Sequence, residues 1–233
     1  EDPVLSGSGA SSGRSAYMAL LVARASGAGG LTFERVGIVN GTLTMTDGSS
    51  SADEQLNGLF VGYASTSVYF TNCFATGIIR SDNSSWKMTA GGFAGDCYSV
   101  DTFALEDCYV DVAFVNPTNK GAFIGGSREV STEGVSFFNS AQAFYYDGGA
   151  HTKAGLVPSS ASAMKDAVTY EYWDIPSTWQ MSALNSPLGG YPVFSFMTDY
   201  VSPPVEPDLQ ISITPSTSIV GKPFTVTWED LPD

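Results

Sequence analysis

The sequence predicts an all-β chain, wound as a β-solenoid (β-helix) of about four repeats. Three observations carry this. The first is repetition: ALLVARASGAGGLTFERVGIVNGTL from residue 19, GLFVGYASTSVYFTNCFATGIIR from 58, GGFAGDCYSVDTFALEDCYVDVAFV from 91 and GAFIGGSREVSTEGVSFFNSAQAFYY from 121 share one pattern. The second is alternation within a copy. Cys108, Val110, Val112 and Phe114 interleave with Tyr109, Asp111, Ala113 and Val115, which is the two-residue period of a strand. The third is composition. The chain holds 25 glycines in 233 residues with ordinary apolar content, as short strands and turns require and disorder does not.

A period of about 30 residues with variable loops means stacked units sharing one core. The copies align at three positions. The apolar entry position is Leu21, Phe60, Phe93 and Phe123. Two residues later stand Ala23, Gly62, Gly95 and Gly125, where the reading expects a sharp corner needing glycine dihedrals. The anchor position is Val36, Cys73, Cys108 and Ser136. Cys73 and Cys108 thus fall on adjacent rungs. They are expected to pack as small hydrophobes with free thiols, a disulfide between them being the alternative.

Residues 1–18 hold a short apolar patch (Pro3, Val4, Leu5) and a Gly/Ser-rich run, read as an N-terminal cap or an irregular first rung. The repeats occupy 19–154. Turn-forming loops interrupt them at 46–57, 80–90, 116–120 and 147–154. Residues 155–200 are expected to be a C-terminal cap. Ser162 would start a short helix, and the rings of Tyr170, Tyr172, Trp173, Trp179, Tyr191 and Phe194 would close the end of the array. VSPPVEPD (201–208) reads as a stiff linker. In 209–233, Leu209, Ile211 and Ile213, then Phe224, Val226 and Trp228, alternate as two strands.

At this point the residues resemble a known family. GLFVGYAS…FTNCFATG and GGFAG…EDCYVDV resemble the GLUG motif repeat of secreted bacterial and archaeal surface proteins. MKDAVTYEYWDIPSTWQM…GGYPVF (164–194) is similar to the segment that often closes such arrays. The resemblance covers about 19–196. It is good in the second and third copies and weaker in the fourth, where Ser136 replaces the cysteine. The first copy departs most. It implies an extracellular or cell-surface location and an adhesin-like or structural role, with no catalytic residue carried over. Residues 209–233 resemble the first two strands of an immunoglobulin-like domain of the kind strung along such proteins.

A net charge of −14 argues against nucleic acid and anionic membranes as partners. No stretch is apolar enough for a membrane-spanning helix, so no membrane insertion is expected. The expected partners are a glycan or protein on a host or neighbouring cell. Self-association through 209–233, by strand addition into a fibre, is the alternative fate of those strands.

No strong catalytic constellation emerges, so the chain is read as not an enzyme. Asp101, Glu106, Asp107 and Asp111 cluster in the third copy, and Asp107 and Asp111 would share the outward side of a regular strand. Paired carboxylates in a groove would suit polysaccharide cleavage; a solvated face is the plainer reading. His151 is the only histidine, which excludes a multi-histidine zinc site. No cofactor motif is present. Calcium is the one ion that the oxygen-rich stretch Asp47–Glu54 would suit. Asn40-Gly41-Thr42 fits the glycosylation acceptor pattern. For a carbohydrate-binding module the candidate aromatic platform is Tyr63, Tyr69, Trp86, Tyr98 and Tyr109.

Overall fold

The repeats become strands that come in sets of four. A computed structural model describes residues 4–8, 16–47, 54–82, 87–97, 102–126, 130–143 and 153–201. The readings placed on 48–53, Trp86, Tyr98, Asp101, His151 and 202–233 lie outside them. A lone strand, β1 (Val4–Ser8), comes first. The first set is β2 (Ala16–Met18), β3 (Val22–Ala25), β4 (Leu31–Glu34) and β5 (Gly37–Asp47). The second is β6 (Glu54–Gly58), β7 (Val61–Ala64), β8 (Val68–Thr71) and β9 (Phe74–Ser81). The third is β10 (Lys87–Gly91), β11 (Ala94–Cys97), β12 (Phe103–Glu106) and β13 (Tyr109–Val115). The fourth is β14 (Asn119–Gly121), a bridge at Ile124, β15 (Ser131–Glu133) and β16 (Ser136–Asn139). Then β17 (Leu156–Ser159) lies beside β16.

Each strand pairs in parallel with its counterpart one set away. This gives sheet A (β1-β5-β9-β13-β16-β17), sheet B (β2-β6-β10-β14), sheet C (β3-β7-β11) and sheet D (β4-β8-β12-β15). Each set is therefore one circuit of four parallel sheets, and the winding is β-helix-like. No α-helix occurs among the described residues. The pairing register is the one the repeats imply: Val22 lies opposite Val61, Val61 opposite Ala94, and Ala94 opposite Ile124.

Gly62, Gly95 and Gly125 have a different cause from the one expected. None adopts a left-handed φ. A Cβ on Gly62 would stand 2.8 Å from the Met18 nitrogen, and one on Gly95 would stand 2.3 Å from the Asn57 nitrogen. Glycine is needed there because sheets B and C approach backbone to backbone. The left-handed corner lies between sheets D and A, where Arg35, Asn72 and Asp107 have φ of 52°, 50° and 48° and Gly134 has 76°.

Inside the winding Phe60, Phe93 and Phe123 are fully enclosed, with successive ring centroids 4.7 and 5.2 Å apart. Leu21, the first copy's entry residue, is 48% exposed and leaves this ladder. Phe33 packs edge-on to Phe60 instead, at 5.3 Å. The three cysteines are buried free thiols. At the anchor position each side chain serves the previous circuit. The Cys73 N–H donates to Cys108 Sγ at 3.4 Å, and the Cys108 N–H donates to Ser136 Oγ at 3.0 Å. Ser136 thus keeps the acceptor role of the cysteine it replaces. Burial pushes the Cys108 thiol well up.

The C-terminal aromatics do not lie over the end of the winding. They cover the outer face of sheet A. Phe74, Tyr109 and Phe137 point out from that sheet on successive circuits. They form a second core with Met164, Tyr170, Trp173, Trp179, Tyr191 and Phe194. Gly37 continues the ladder, and its missing Cβ is what lets the Phe74 ring lie over the first circuit. Hydrogen bonds fix the cover: Trp179 Nε1 donates to Asn72 Oδ1 at 2.9 Å, Trp173 Nε1 to the Val135 carbonyl at 2.7 Å, and the Tyr109 hydroxyl to the Pro192 carbonyl at 2.8 Å. Beside the last circuit stand β17, whose Leu156 enters the main core, and the turn that buries Ala143. Within the cover, β18 (Trp179–Met181) and β19 (Pro192–Phe194) pair antiparallel. Ser162 makes no side-chain cap. Ser160 Oγ accepts the Ala163 N–H and Asp166 Oδ1 the Val168 N–H, each starting a short 3₁₀ turn.

Candidate functional site

Beside the aromatic ladder of sheet A runs a polar one. Three residues beyond the anchors Cys73, Cys108 and Ser136 stand Thr76, Asp111 and Asn139. Thr76 pairs opposite Asp111, and Asn139 Nδ2 donates to Asp111 Oδ1 at 2.8 Å. In the first circuit Ile38 lies opposite Ala75 but Gly41 opposite Gly77, so Val39 and Asn40 share the place of Thr76. Such a bulge re-aims a side chain. Asn40 takes a left-handed φ of 50°, its N–H held by Thr76 Oγ1 at 3.0 Å.

The C-terminal cover supplies the opposite wall through Pro187, Leu188 and Tyr191. The Tyr191 hydroxyl donates to Asp111 Oδ2, and Asn40 Nδ2 reaches the Pro187 carbonyl at 3.5 Å, the limit of a hydrogen bond. Between the walls is an open cleft of about 290 Å³, lined also by Gly77, Ala113 and Gln142. Burial, and then the bond to Asp111, push the Tyr191 hydroxyl up, so it stays a neutral donor. The faces of its ring are occupied. Tyr109 stacks on it at 5.7 Å and Lys165 Nζ lies 5.0 Å from its centroid. The cleft therefore offers one carboxylate, two amides, two hydroxyls and a short apolar wall, and no cation lines it.

Asp107 is not in this cleft, so the cleft does not bring together the carboxylate pair that polysaccharide cleavage would use. Its left-handed φ of 48° interrupts the regular strand on which it and Asp111 would have faced the same side. Its Oδ1 instead accepts the Val135 N–H at 3.2 Å. Burial pushes its carboxyl up, against the lowering effect of that bond. Glu106 accepts from Thr71 Oγ1 at 3.1 Å.

The five aromatics proposed as a platform are not brought together. Tyr109 is fully enclosed beneath the C-terminal cover, which removes it from any ligand face. Tyr63 is half-buried on sheet C, stacked on Tyr17 at 4.9 Å, with Arg24 5.8 Å from the Tyr17 centroid and 6.0 Å from that of Tyr63. Tyr69 is exposed on sheet D. Trp86 and Tyr98 lie outside the described residues. The reading missed Asn40, Thr76, Gln142, Leu188 and Tyr191. Two signals were in the sequence: a polar residue three past each anchor from the second copy onward, and one surplus residue before Gly41. Among the described residues no group of His, Cys, Asp and Glu could hold a metal ion.

Set against protein-family models, curated proteins and solved structures, the chain matches none.

Proposed function

We propose that the chain is a β-solenoid binding module displayed outside the cell, the adhesin-like head of a surface protein, acting by binding rather than catalysis. The observation that carries this is the use made of the carboxylates in the third repeat. Asp107 holds a corner, and Asp111 holds the C-terminal cover through Tyr191 and the next circuit of sheet A through Asn139. Side chains committed to two walls of a rigid scaffold suit a preformed recognition surface. They do not suit an acid and base facing each other across a scissile bond.

The motif resemblance of the second and third repeats to GLUG arrays, and the acidic surface, support the extracellular placement. Under this reading 209–233 begins an immunoglobulin-like stalk. The experiment is antibody labelling of intact producing cells, followed by protease shaving. Labelling that shaving removes is the expected result. Labelling only after lysis overturns the reading.

A second reading, carbohydrate recognition, is favoured by the cleft between Asp111 and Tyr191.

A further inference from the structure

We infer that the cleft beneath Tyr191 is a binding site for one neutral sugar ring of the pyranose type. This deepens the binding-module reading and rests on it only in assigning the site recognition rather than chemistry.

The size sets the first limit. At about 290 Å³ the cleft lies at the lower end of small-molecule pockets, roughly 300–1,000 Å³, so it takes one ring and not a chain. Charge sets the second. Asp111 is the one ionised group in the lining, and the whole chain carries −14. An anionic sugar would lose its hydration against a carboxylate, and the two lysines that touch lining residues are engaged outside the lining, Lys120 on the Gln142 carbonyl at 2.6 Å and Lys165 over the Tyr191 ring at 5.0 Å.

Chemistry sets the third. A carboxylate has about four acceptor positions, and Tyr191 and Asn139 fill two of those on Asp111. The remaining lone pairs can accept sugar hydroxyls. Asn40 and Gln142 each carry both a donor and an acceptor on the rim, and Thr76 adds a hydroxyl. A hydroxyl that donates to Asp111 is polarised to accept from an amide, the pattern that neighbouring hydroxyls of a pyranose present. Leu188 on the cover wall and Ala113 on the sheet A wall supply apolar surface for the ring's C–H groups. The bulge that turns Asn40 toward Pro187, and the Tyr191–Asp111 hydrogen bond between the two walls, pre-form the site before any ligand arrives.

The test is titration calorimetry of the full chain with methyl glycosides of glucose, galactose and mannose, with glucuronate as the anionic comparison. The expected result is millimolar binding of at least one neutral glycoside and no binding of glucuronate. Asp111→Asn should weaken that binding at least about tenfold, through loss of a charge-assisted hydrogen bond. Because Asp111→Asn also touches Tyr191, Gln142→Ala serves as the second variant. It should weaken binding severalfold while leaving the thermal midpoint unchanged. Absence of binding to every neutral glycoside, preference for glucuronate, or affinity indifferent to both substitutions overturns the assignment. The titration uses purified chain and is blind to location. A failed titration beside surface labelling removes the sugar site alone. Binding beside labelling only after lysis removes the display reading alone.

Discussion

The ring of Tyr109 lies flat over that of Phe74, one circuit earlier, with centroids 5.0 Å apart and planes 1° from parallel. Both point away from the main core, and both are fully buried. The stack is therefore the seam between the wound sheets and the C-terminal cover. Tyr109→Ala should cost about 3–5 kcal/mol, since it removes an enclosed ring from a packed cluster. Tyr109→Phe should cost about 1 kcal/mol, through loss of the bond to the Pro192 carbonyl. Chemical denaturation of the two variants checks both values.

At the anchor ladder, Ser136→Ala leaves the buried Cys108 N–H without its acceptor. The expected cost is about 1–3 kcal/mol. Ser136→Cys restores an acceptor of the kind used at Cys108 and should be nearly neutral. The thiols of Cys73, Cys97 and Cys108 should react with a thiol reagent only in denaturant, because all three are buried. Equal losses in Ser136→Ala and Ser136→Cys would show that volume, not hydrogen bonding, governs the site.

The corner residues make a matched set. Asp107 is half-buried at a left-handed φ, where Asn72 stands in the previous circuit. Its carboxyl value is raised. A group raised in the folded state contributes stability below its unfolded value and loses that contribution as pH rises. Its charge is therefore a cost at neutral pH. Asp107→Asn keeps an acceptor for the Val135 N–H and tolerates the dihedral. It should raise the thermal midpoint at neutral pH, with the gain vanishing below the carboxylate range. A gain that persists unchanged in acid contradicts this account.

The buried phenols give an alkaline limit. Burial pushes Tyr109, Tyr170 and Tyr191 above the ordinary tyrosine value, and their neutral forms are the folded ones. Their contribution is full below the unfolded value, about 10, and falls as pH rises through and beyond it. Phenolate absorbance should show a group of tyrosines that ionise only as the β circular dichroism collapses. Smooth ionisation of every tyrosine in a folded chain is the opposing outcome.

Repeat register was readable in the sequence because each circuit restates its residues. Phe60, Phe93 and Phe123 align by eye and stack in space, and so do Cys73 and Cys108. The reason for Gly62 and Gly95 was not readable, since a gap between two sheets is a long-range distance and leaves no local mark beyond the glycine. The placement of the C-terminal segment was misread for a related cause. Aromatics at 170–194 predict a cover, but only the outward rings of Phe74, Tyr109 and Phe137 say which surface is covered. Of those rings the sequence reading singles out Tyr109 alone, as a member of a ligand platform. The cleft joins Asn40 to Tyr191 across most of the described chain, and its signal is one surplus residue in the first repeat.

The most direct measurement puts binding against catalysis on the same sample. The chain is incubated with a panel of neutral and acidic polysaccharides, and both retained protein and newly formed reducing ends are measured. The account predicts retention on neutral polysaccharides through single rings of the polymer, weakened by Asp111→Asn, with no increase in reducing ends for the native chain or for a double Asp107→Asn, Asp111→Asn variant. New reducing ends from the native chain that vanish in the double variant would contradict it.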